Sequence, residues 1–181
     1  MPLLVLEGLD GAGKSTQIHR LQQMLAARGI GYEYLHFPRF DAPVYGELIA
    51  RFLRGELGGV DRVDPYIVAL LYAGDRADAA AAIRGWLAEG KSVILDRYVY
   101  SNVEEVREGD DREYLQGKRD IHESSLILQQ RVREVYLEQE AFDDRFRVID
   151  CSAPDGSMLD PDSIFERIAR QVEMFLPEGK R

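Results

Sequence analysis

Residues 8–16 read Gly-Leu-Asp-Gly-Ala-Gly-Lys-Ser-Thr and contain the pattern G-x-x-x-x-G-K-[ST]. Small residues let the backbone approach a phosphate chain closely, so the N–H groups of residues 11–16 can point at the anionic oxygens. Lys14 is placed to reach the β- and γ-phosphates of a nucleotide, and the Ser15 hydroxyl is placed to bind Mg²⁺. The pattern predicts an ATP-binding loop made of Gly8, Asp10, Gly11, Ala12, Gly13, Lys14, Ser15 and Thr16.

The segments on both sides of this loop have the required character. Residues 3–7 begin with a continuous apolar run, which predicts a strand buried on both faces. Residues 14–28 follow as a helix with apolar residues on one face, and Gly29 is expected to cap it. A simple glycine turn that resembles the motif is disfavoured because the strand–loop–helix order is also present.

A second apolar strand, at residues 92–96, ends in the carboxylate of Asp96. This is the Walker B pattern, and together with the glycine-rich loop it predicts a magnesium role for Asp96, through water. Arg97 follows directly, and the carboxyl end of a strand in a parallel sheet borders the nucleotide crevice. The alternative for Arg97 is a salt bridge to a neighbouring carboxylate.

Three further residues could bind a nucleotide acceptor. Arg39 follows another predicted strand, so its guanidinium is expected to reach the same crevice. Tyr72 and Arg76 are spaced i to i+4 on a predicted helix, which places both on one face. A planar ring and a guanidinium there could stack on a flat base and form a hydrogen bond with it. The alternative is that Tyr72 is simply a core residue.

The remaining chain alternates strands with helices, which predicts a three-layer α/β/α domain with a mostly parallel sheet. We expect a single domain over residues 1–181. The predicted strands are residues 3–7, 32–37, 92–96 and 146–150. Further helices are predicted over residues 43–55, 64–89 and 120–138, and from residue 160 onward.

Composition limits the possible classes of partner. The formal net charge of −9 argues against general binding to nucleic acid or anionic membranes, although a nucleotide site needs only a local basic cluster. The single cysteine, Cys151, excludes an intrachain disulfide framework and fits a reducing cytosol. The chain shows no signal peptide and no apolar run of transmembrane length, so we expect a cytoplasmic protein.

Residues 103–120 are very polar and of mixed charge. They predict either a solvated loop or a mobile lid that closes arginines over a phosphate site. The chain's histidines, His19, His36 and His122, form no spaced pair, and we interpret all of them as structural or surface residues.

These motifs together resemble those of thymidylate (dTMP) kinases. The resemblance rests on four segments in the family's order, beginning with residues 7–17 around the glycine-rich loop. The others are Phe37-Pro-Arg-Phe40, Leu71-Tyr-Ala-Gly-Asp-Arg-Ala77 and Leu95-Asp-Arg-Tyr-Val-Tyr-Ser-Asn102. It covers residues 1–102 continuously and resumes around residues 109–138.

The resemblance implies that ATP donates its γ-phosphoryl group to dTMP with Mg²⁺, and that the protein is a homodimer. It implies a contact of Asp10 with the deoxyribose 3′-OH. It implies a thymine site formed by Phe37, Pro38, Phe40, Tyr72, Arg76 and Asn102, with Arg39 and Arg97 on the dTMP phosphate. Because the glycine-rich loop carries no arginine, the catalytic cation should come from the lid. The candidates are Arg107 and Arg112, with Lys118 and Arg119 behind them.

The resemblance also implies a sheet of order 2-3-1-4-5, in which residues 146–150 would be strand 5. Strand 4 has no candidate, because residues 102–120 contain no apolar run of four residues. We therefore expect that a stretch of the protein is missing from this sequence, with the seam within residues 102–106. A tyrosine that helps to exclude ribonucleotides in the family would be missing with it.

Other functions remain open from the residues. A related kinase for another nucleoside monophosphate or a deoxynucleoside would share the loop, but the segments around Tyr72 and Phe37 favour dTMP. A nucleotide-dependent switch of the GTPase type would need an N-K-x-D segment, which the sequence lacks. A catalytically inactive scaffold is the third possibility, if strand 4 is truly absent.

Overall fold

The computed structural model describes residues 1–9, 11–58, 62–100 and 121–177. The strands are β1 (Leu3–Leu6), β2 (Tyr32–His36) and β3 (Ser92–Asp96). The helices are α1 (Lys14–Ala27), α2 (Tyr45–Leu53), α3 (Pro65–Ala88), α4 (Ile121–Phe142) and α5 (Pro161–Glu173). All of these lie within a few residues of their predicted ranges.

The three strands form a parallel sheet in the order β1-β3-β2. This order confirms the first three positions of the predicted sheet, and the fold is a P-loop α/β fold. Strand β3 lies at the centre, and Val93, Ile94 and Leu95 are fully buried there. Each is buried because neighbouring strands flank β3 and helices cover both of its faces.

Helices form a layer on each side of the sheet. On one side, Ile18, Leu21 and Leu25 of α1 pack with Ile94 and with Val172 of α5. On the other side, Ala79 and Ile83 of α3 pack with Phe37, Val93 and Leu95. The alternation of β3 side chains between these two clusters follows from the two-residue period of a strand.

The predicted burial of β1 on both faces is wrong for one face. Leu4 and Leu6 pack against the cluster beneath α1, but Leu3 and Val5 remain 41% and 37% exposed. Leu3 and Val5 are exposed because β1 lies at the edge of the described sheet. The strand side chains in the cluster beneath α3 come from β2 and β3.

The predicted strand at residues 146–150 is also wrong, because this segment has irregular backbone. In the described part of the chain it pairs with no strand, and local groups bind it instead. The Val148 N–H donates to Glu140 Oε1 at 3.1 Å, and the Phe146 ring packs edge-on against Tyr100 at 4.9 Å. A short apolar run alone does not specify a strand when no paired edge is available.

Two helices, α3 and α5, begin after an aspartate N-cap that is followed by proline. Asp64 accepts a hydrogen bond from the Tyr66 N–H at 2.8 Å, with Pro65 as the first residue of α3. Asp160 accepts from the N–H groups of Asp162 and Ser163, each at 3.0 Å, with Pro161 as the first residue of α5. Aspartate before proline suits a helix start because the carboxylate takes an otherwise unpaired N–H and proline needs none.

Close packing of α2 against α3 depends on Gly74. A Cβ atom built at Gly74 would lie 2.2 Å from Cε1 of Tyr45, whereas one built at Gly85 of the same helix meets nothing within 4 Å. We expect Gly74→Ala to destabilise the protein by about 1–3 kcal/mol through overpacking, despite the higher helix propensity of alanine.

Gly85→Ala is the matched control, and it should stabilise the protein by about 0.5–1 kcal/mol. Urea unfolding of the two variants measures both values. Equal stabilisation by the two substitutions would show that Tyr45 does not limit the space at position 74.

Candidate active site

The glycine-rich loop joins β1 to α1 with a backbone that side chains disfavour. The φ angles are +79° at Gly11 and +78° at Gly13, in the left-handed region, and Gly13 is the N-cap of α1. The Ala12 N–H donates to the Leu9 carbonyl at 3.2 Å and closes a turn. The loop therefore favours glycine at 11 and 13, of which the motif fixes only Gly13, while Asp10 lies outside the described residues.

Lys14 extends back over this loop. Its Nζ donates to the carbonyl oxygens of Gly8 at 2.9 Å and Leu9 at 3.1 Å. The ammonium is thus held at the loop that is predicted to enclose the phosphates, while Ser15 and Thr16 lie exposed in the first turn of α1.

Hydrogen bonds tie together the carboxyl ends of all three strands. The Arg97 N–H donates to the Leu6 carbonyl at 2.9 Å, and the Phe37 N–H donates to the Asp96 carbonyl at 2.9 Å. Each bond continues the ladder beyond the end of a strand. The loops after β1, β2 and β3 therefore begin side by side, where parallel sheets bind ligands.

Glu7 adds a side-chain link at the same edge. Its carboxylate accepts from the Tyr98 N–H at 2.7 Å and from the Tyr136 hydroxyl at 3.1 Å. One carboxylate at the start of the loop therefore holds the segment after β3 and the helix α4. Sequence spacing offers no signal for this role, because Tyr136 lies far along the chain.

Asp96 is buried, with 6% of its surface exposed, and its contacts within the described part of the chain involve one of its two oxygens. Asp96 Oδ2 lies 3.2 Å from His36 Nδ1 and accepts from the Tyr34 hydroxyl at 3.4 Å. Asp96 Oδ1 is buried and has no hydrogen-bond partner among the described residues. His36 is exposed, in agreement with its interpretation as a structural or surface residue, and it also contacts the carboxylate that is predicted to serve magnesium.

The environment of Asp96 keeps it ionised. Burial alone would raise the pKa of this carboxyl, but the contact with His36 and the charges of Lys14 and Arg97 outweigh burial and lower the pKa. A buried, ionised carboxylate with one oxygen lacking a partner suits a hard divalent cation. The described residues contain no group of three or more His, Cys, Asp or Glu that could hold a metal by themselves.

Arg97 adopts a backbone conformation that is rare for a side-chain-bearing residue. Its φ is +65°, in the left-handed region, and its N–H is held by Leu6 as described above. Left-handed backbone costs an L-residue about 1–2 kcal/mol. Such strain persists where surrounding contacts enforce it and is found most often at functional sites.

Tyr72 and Arg76 are both 7% exposed on α3. Tyr72 packs with Ile49, Phe52 and Val68 between α2 and α3, which agrees with the core alternative for this ring. Arg76 donates from NH1 to the Tyr98 carbonyl at 2.9 Å. This bond places the Arg76 guanidinium at the segment that follows Asp96 and Arg97.

Arg39 is bound to two carboxylates of α3. Its Nε donates to Asp75 Oδ1 at 2.8 Å, and its NH2 donates to Asp78 Oδ2 at 2.7 Å. Asp75 is 1% exposed and also accepts from the Arg39 N–H at 2.9 Å. Arg39 therefore joins the loop after β2 to α3, a role that its position in the sequence did not reveal.

The aromatic residues predicted for the thymine site differ in exposure. Phe37 is 2% exposed and packs in the core beneath α3, so it offers a ligand little surface. Phe40 is 44% exposed, and its ring centroid lies 6.5 Å from that of His36. Pro38, between them, follows a cis peptide bond.

Several predicted residues lie outside the described part of the chain. These are Asp10, Asn102, Arg107, Arg112, Lys118, Arg119, the lid at residues 103–120 and the seam at residues 102–106. In the described ranges, no helix is long and apolar enough to cross a membrane.

Comparison with known proteins places these motifs in one family. A model of the thymidylate kinase family matches residues 6–104. A thymidylate kinase of Mycobacterium tuberculosis (strain CDC 1551 / Oshkosh) is 41% identical over 100 residues, and the human thymidylate kinase is 36% identical over 101 residues. The alignments cover 55% and 56% of this chain and 46% and 45% of those proteins. The matched part thus spans about half the length of these curated relatives.

A solved structure of thymidylate kinase from Candida albicans has a similar fold. The TM-score is 0.73, over 99% of this chain and 96% of that chain, at 20% sequence identity. This likeness extends the fold assignment beyond the segment matched by sequence. The family model covers more than half of the chain and includes Lys14, Arg76 and Asp96, so the chain belongs to the thymidylate kinase family.

Proposed function

We propose that this protein transfers the γ-phosphoryl group of ATP to dTMP and forms dTDP and ADP. The observation that carries the proposal is the convergence of Lys14, Asp96 and Arg97 at the carboxyl edge of the sheet, beside Arg76 of α3. Phosphoryl transfer depends on positioning and charge stabilisation, and this edge combines a phosphate loop, a carboxylate and cations. The family membership supports the same assignment.

The donor would occupy the glycine-rich loop. Its backbone N–H groups and the N-terminus of α1 would receive the phosphates of ATP. The Lys14 ammonium now bonds two loop carbonyls, so a phosphate at this position would replace neutral acceptors with anionic ones. Asp10 would act on the acceptor side, at the deoxyribose 3′-OH.

Mg²⁺ would be held by the Ser15 hydroxyl and, through water, by Asp96. Three features of Asp96 fit this role: its burial, its lowered pKa and an Oδ1 that has no hydrogen-bond partner among the described residues. When bound, the ion supplies positive charge that neutralises the phosphate oxygens during transfer. The contribution of the chain itself is to keep Asp96 ionised and oriented.

The acceptor would lie between α3 and the segment after β3. Arg76 would contact the base, and Tyr72 would border it from its packed position between α2 and α3, with Phe37, Pro38, Phe40 and Asn102 nearby. Arg97 would hold the dTMP phosphate, and its left-handed backbone would set the direction of its side chain. Arg39 would assist at the phosphate, and its bonds to Asp75 and Asp78 would also hold the loop after β2 in place.

Other parts of the proposal involve residues beyond those described. Residues 103–120 would form a lid in the single domain at residues 1–181, and Arg107 or Arg112 would supply the catalytic cation. The protein would act as a homodimer, without nucleic acid or membrane partners.

A coupled assay of ADP release tests the proposal directly. Purified protein with ATP and Mg²⁺ is given dTMP, dUMP, AMP or thymidine in turn. Release that depends on dTMP supports the assignment, whereas preference for AMP or thymidine would identify another kinase. The absence of ADP release with every acceptor would contradict enzymatic function for this chain.

Replacement of Lys14 should nearly abolish turnover. Loss of a cation that stabilises developing phosphate charge costs about 3–4 kcal/mol in the barrier, or roughly 100- to 1,000-fold in kcat. We expect this loss for Lys14→Ala, with urea unfolding close to that of the wild type. Lys91→Ala is the control, because Lys91 pairs with Glu33 and Glu89. Similar kcat values for both variants would disprove the loop assignment.

Arg76→Ala should weaken dTMP binding without changing ATP binding. A lost hydrogen bond to the base corresponds to about 1–3 kcal/mol, or roughly 5- to 150-fold in the KM for dTMP. Arg84→Ala, at an exposed position of the same helix, is the control and should leave both constants unchanged. An effect of Arg76→Ala on the ATP constant alone would mean that the acceptor site is assigned to the wrong side.

Two substitutions at Arg97 can separate the role of its guanidinium from the strain of its left-handed backbone. Arg97→Ala and Arg97→Gly both remove the guanidinium, so both should lower kcat with dTMP by roughly 100-fold or more. Only glycine relieves the left-handed φ, so the glycine variant should be more stable than the alanine variant by about 1 kcal/mol. Urea unfolding measures the difference, and a more stable alanine variant would show that position 97 carries no backbone strain.

A further inference from the structure

Strand β2 places two polar side chains beside Asp96. Tyr34 and His36 are two residues apart, so their side chains lie on the same face of the strand. His36 is directly in register with Asp96, and Tyr34 is in register with Ile94. Both side chains contact the same oxygen, Oδ2, at 3.4 Å from the Tyr34 hydroxyl and 3.2 Å from His36 Nδ1.

Core packing does not account for these two residues. The side chain of His36 is 43% exposed and Tyr34 is 40% exposed, and neither belongs to the hydrophobic clusters on the two sides of the sheet. The ring of His36 lies near that of Phe40, which is itself 44% exposed. Their described polar contacts are directed to the carboxylate of Asp96 instead.

The distribution of contacts on Asp96 is uneven. If the contacts of Asp96 served only to compensate for its burial, both carboxylate oxygens would have partners, since buried polar atoms are nearly always hydrogen-bonded. Here Oδ2 has two neighbours with donor groups, whereas Oδ1 is buried with none among the described residues. The terminal torsion of an aspartate is broad, so contacts on one oxygen determine which oxygen remains available.

We propose that Tyr34 and His36 are positioning residues that hold Asp96 Oδ2 and thereby present Oδ1 to the hydrated Mg²⁺ that accompanies ATP. The inference rests on the proposed function, because it concerns the cation of the same site. An N–H on His36 Nδ1 and the O–H of Tyr34 both donate to the ionised carboxylate. Neither residue contacts a substrate in this role, and each acts only through Asp96.

The expected loss of Mg²⁺ affinity follows from residues that orient the ligands of other metal sites. Removing a residue that orients a ligating carboxylate lowers metal affinity by about 10- to 100-fold. Mg²⁺ should strengthen ATP binding to the wild type, and this gain in affinity should be smaller by that factor in His36→Ala. Tyr34→Phe should lose less of the gain, because its contact with Asp96 is longer. Affinity for ATP in EDTA should stay unchanged in both variants, since the phosphate loop is intact.

The decisive measurement is calorimetric titration with ATP, with Mg²⁺ and with EDTA, in the absence of any acceptor. His36→Asn is the rescue variant, because the asparagine amide N–H₂ lies near the position of Nδ1 and can donate to Oδ2. Tyr32→Phe is the control, since Tyr32 lies on the same face of β2 but packs against the cluster beneath α1. We expect His36→Asn and Tyr32→Phe to behave like the wild type.

The outcomes separate this inference from the proposed function. If the wild type phosphorylates dTMP and His36→Ala binds ATP with the full effect of Mg²⁺, the positioning role is wrong and the function stands. If His36→Asn is as defective as His36→Ala, donation to Oδ2 is not the cause and the inference is again overturned. If the wild type phosphorylates no acceptor, but His36→Ala loses the Mg²⁺ effect that His36→Asn and Tyr32→Phe retain, the proposed function fails and the inference stands.

Discussion

The backbone pairing of β3 with β1 and β2 is the constraint on which the site depends. A parallel register places the last residues of the three strands side by side, with Asp96 between Leu6 and His36. Two more hydrogen bonds, from the N–H groups of Arg97 and Phe37, extend this pairing past the strand ends. Among the described residues, each polar group proposed for phosphoryl transfer lies at or just after one of these strand ends, or on a helix packed against the sheet.

Three of the cations near this edge are held by acceptors of the protein. Lys14 is bonded to carbonyls of its own loop, Arg76 to the Tyr98 carbonyl, and Arg39 to aspartates of α3. The net charge of the chain is −9, and carboxylates accompany these cations, since Arg39 is paired with both Asp75 and Asp78. Groups that are already oriented need little reorganisation when a phosphate arrives, and this is the usual source of electrostatic catalysis.

The two halves of the chain differ in how they resemble thymidylate kinases. Sequence similarity to thymidylate kinases is concentrated in residues 6–104, whereas the likeness of fold extends over 99% of the chain. In the second half, α5 packs with α1 and the sheet, and Tyr136 of α4 contacts Glu7 at the start of the glycine-rich loop. Such packing requires apolar surface of suitable shape more than particular residues, so it tolerates sequence change better than a phosphate loop does.

The sequence by itself determined the three strands of the sheet, the helices, the loop and the family. Glycine at 11 and 13 is required by positive φ angles, aspartate–proline pairs start α3 and α5, and β3 is apolar because it is buried on both faces. These features are local, so a linear pattern records them. Only the tertiary structure decided that residues 146–150 form no strand and that β1 is exposed on one face, because both depend on which neighbours are present. It also decided which oxygen of Asp96 is occupied: the partners, Tyr34 and His36, are distant in sequence and reach Asp96 only through the register of β2 with β3.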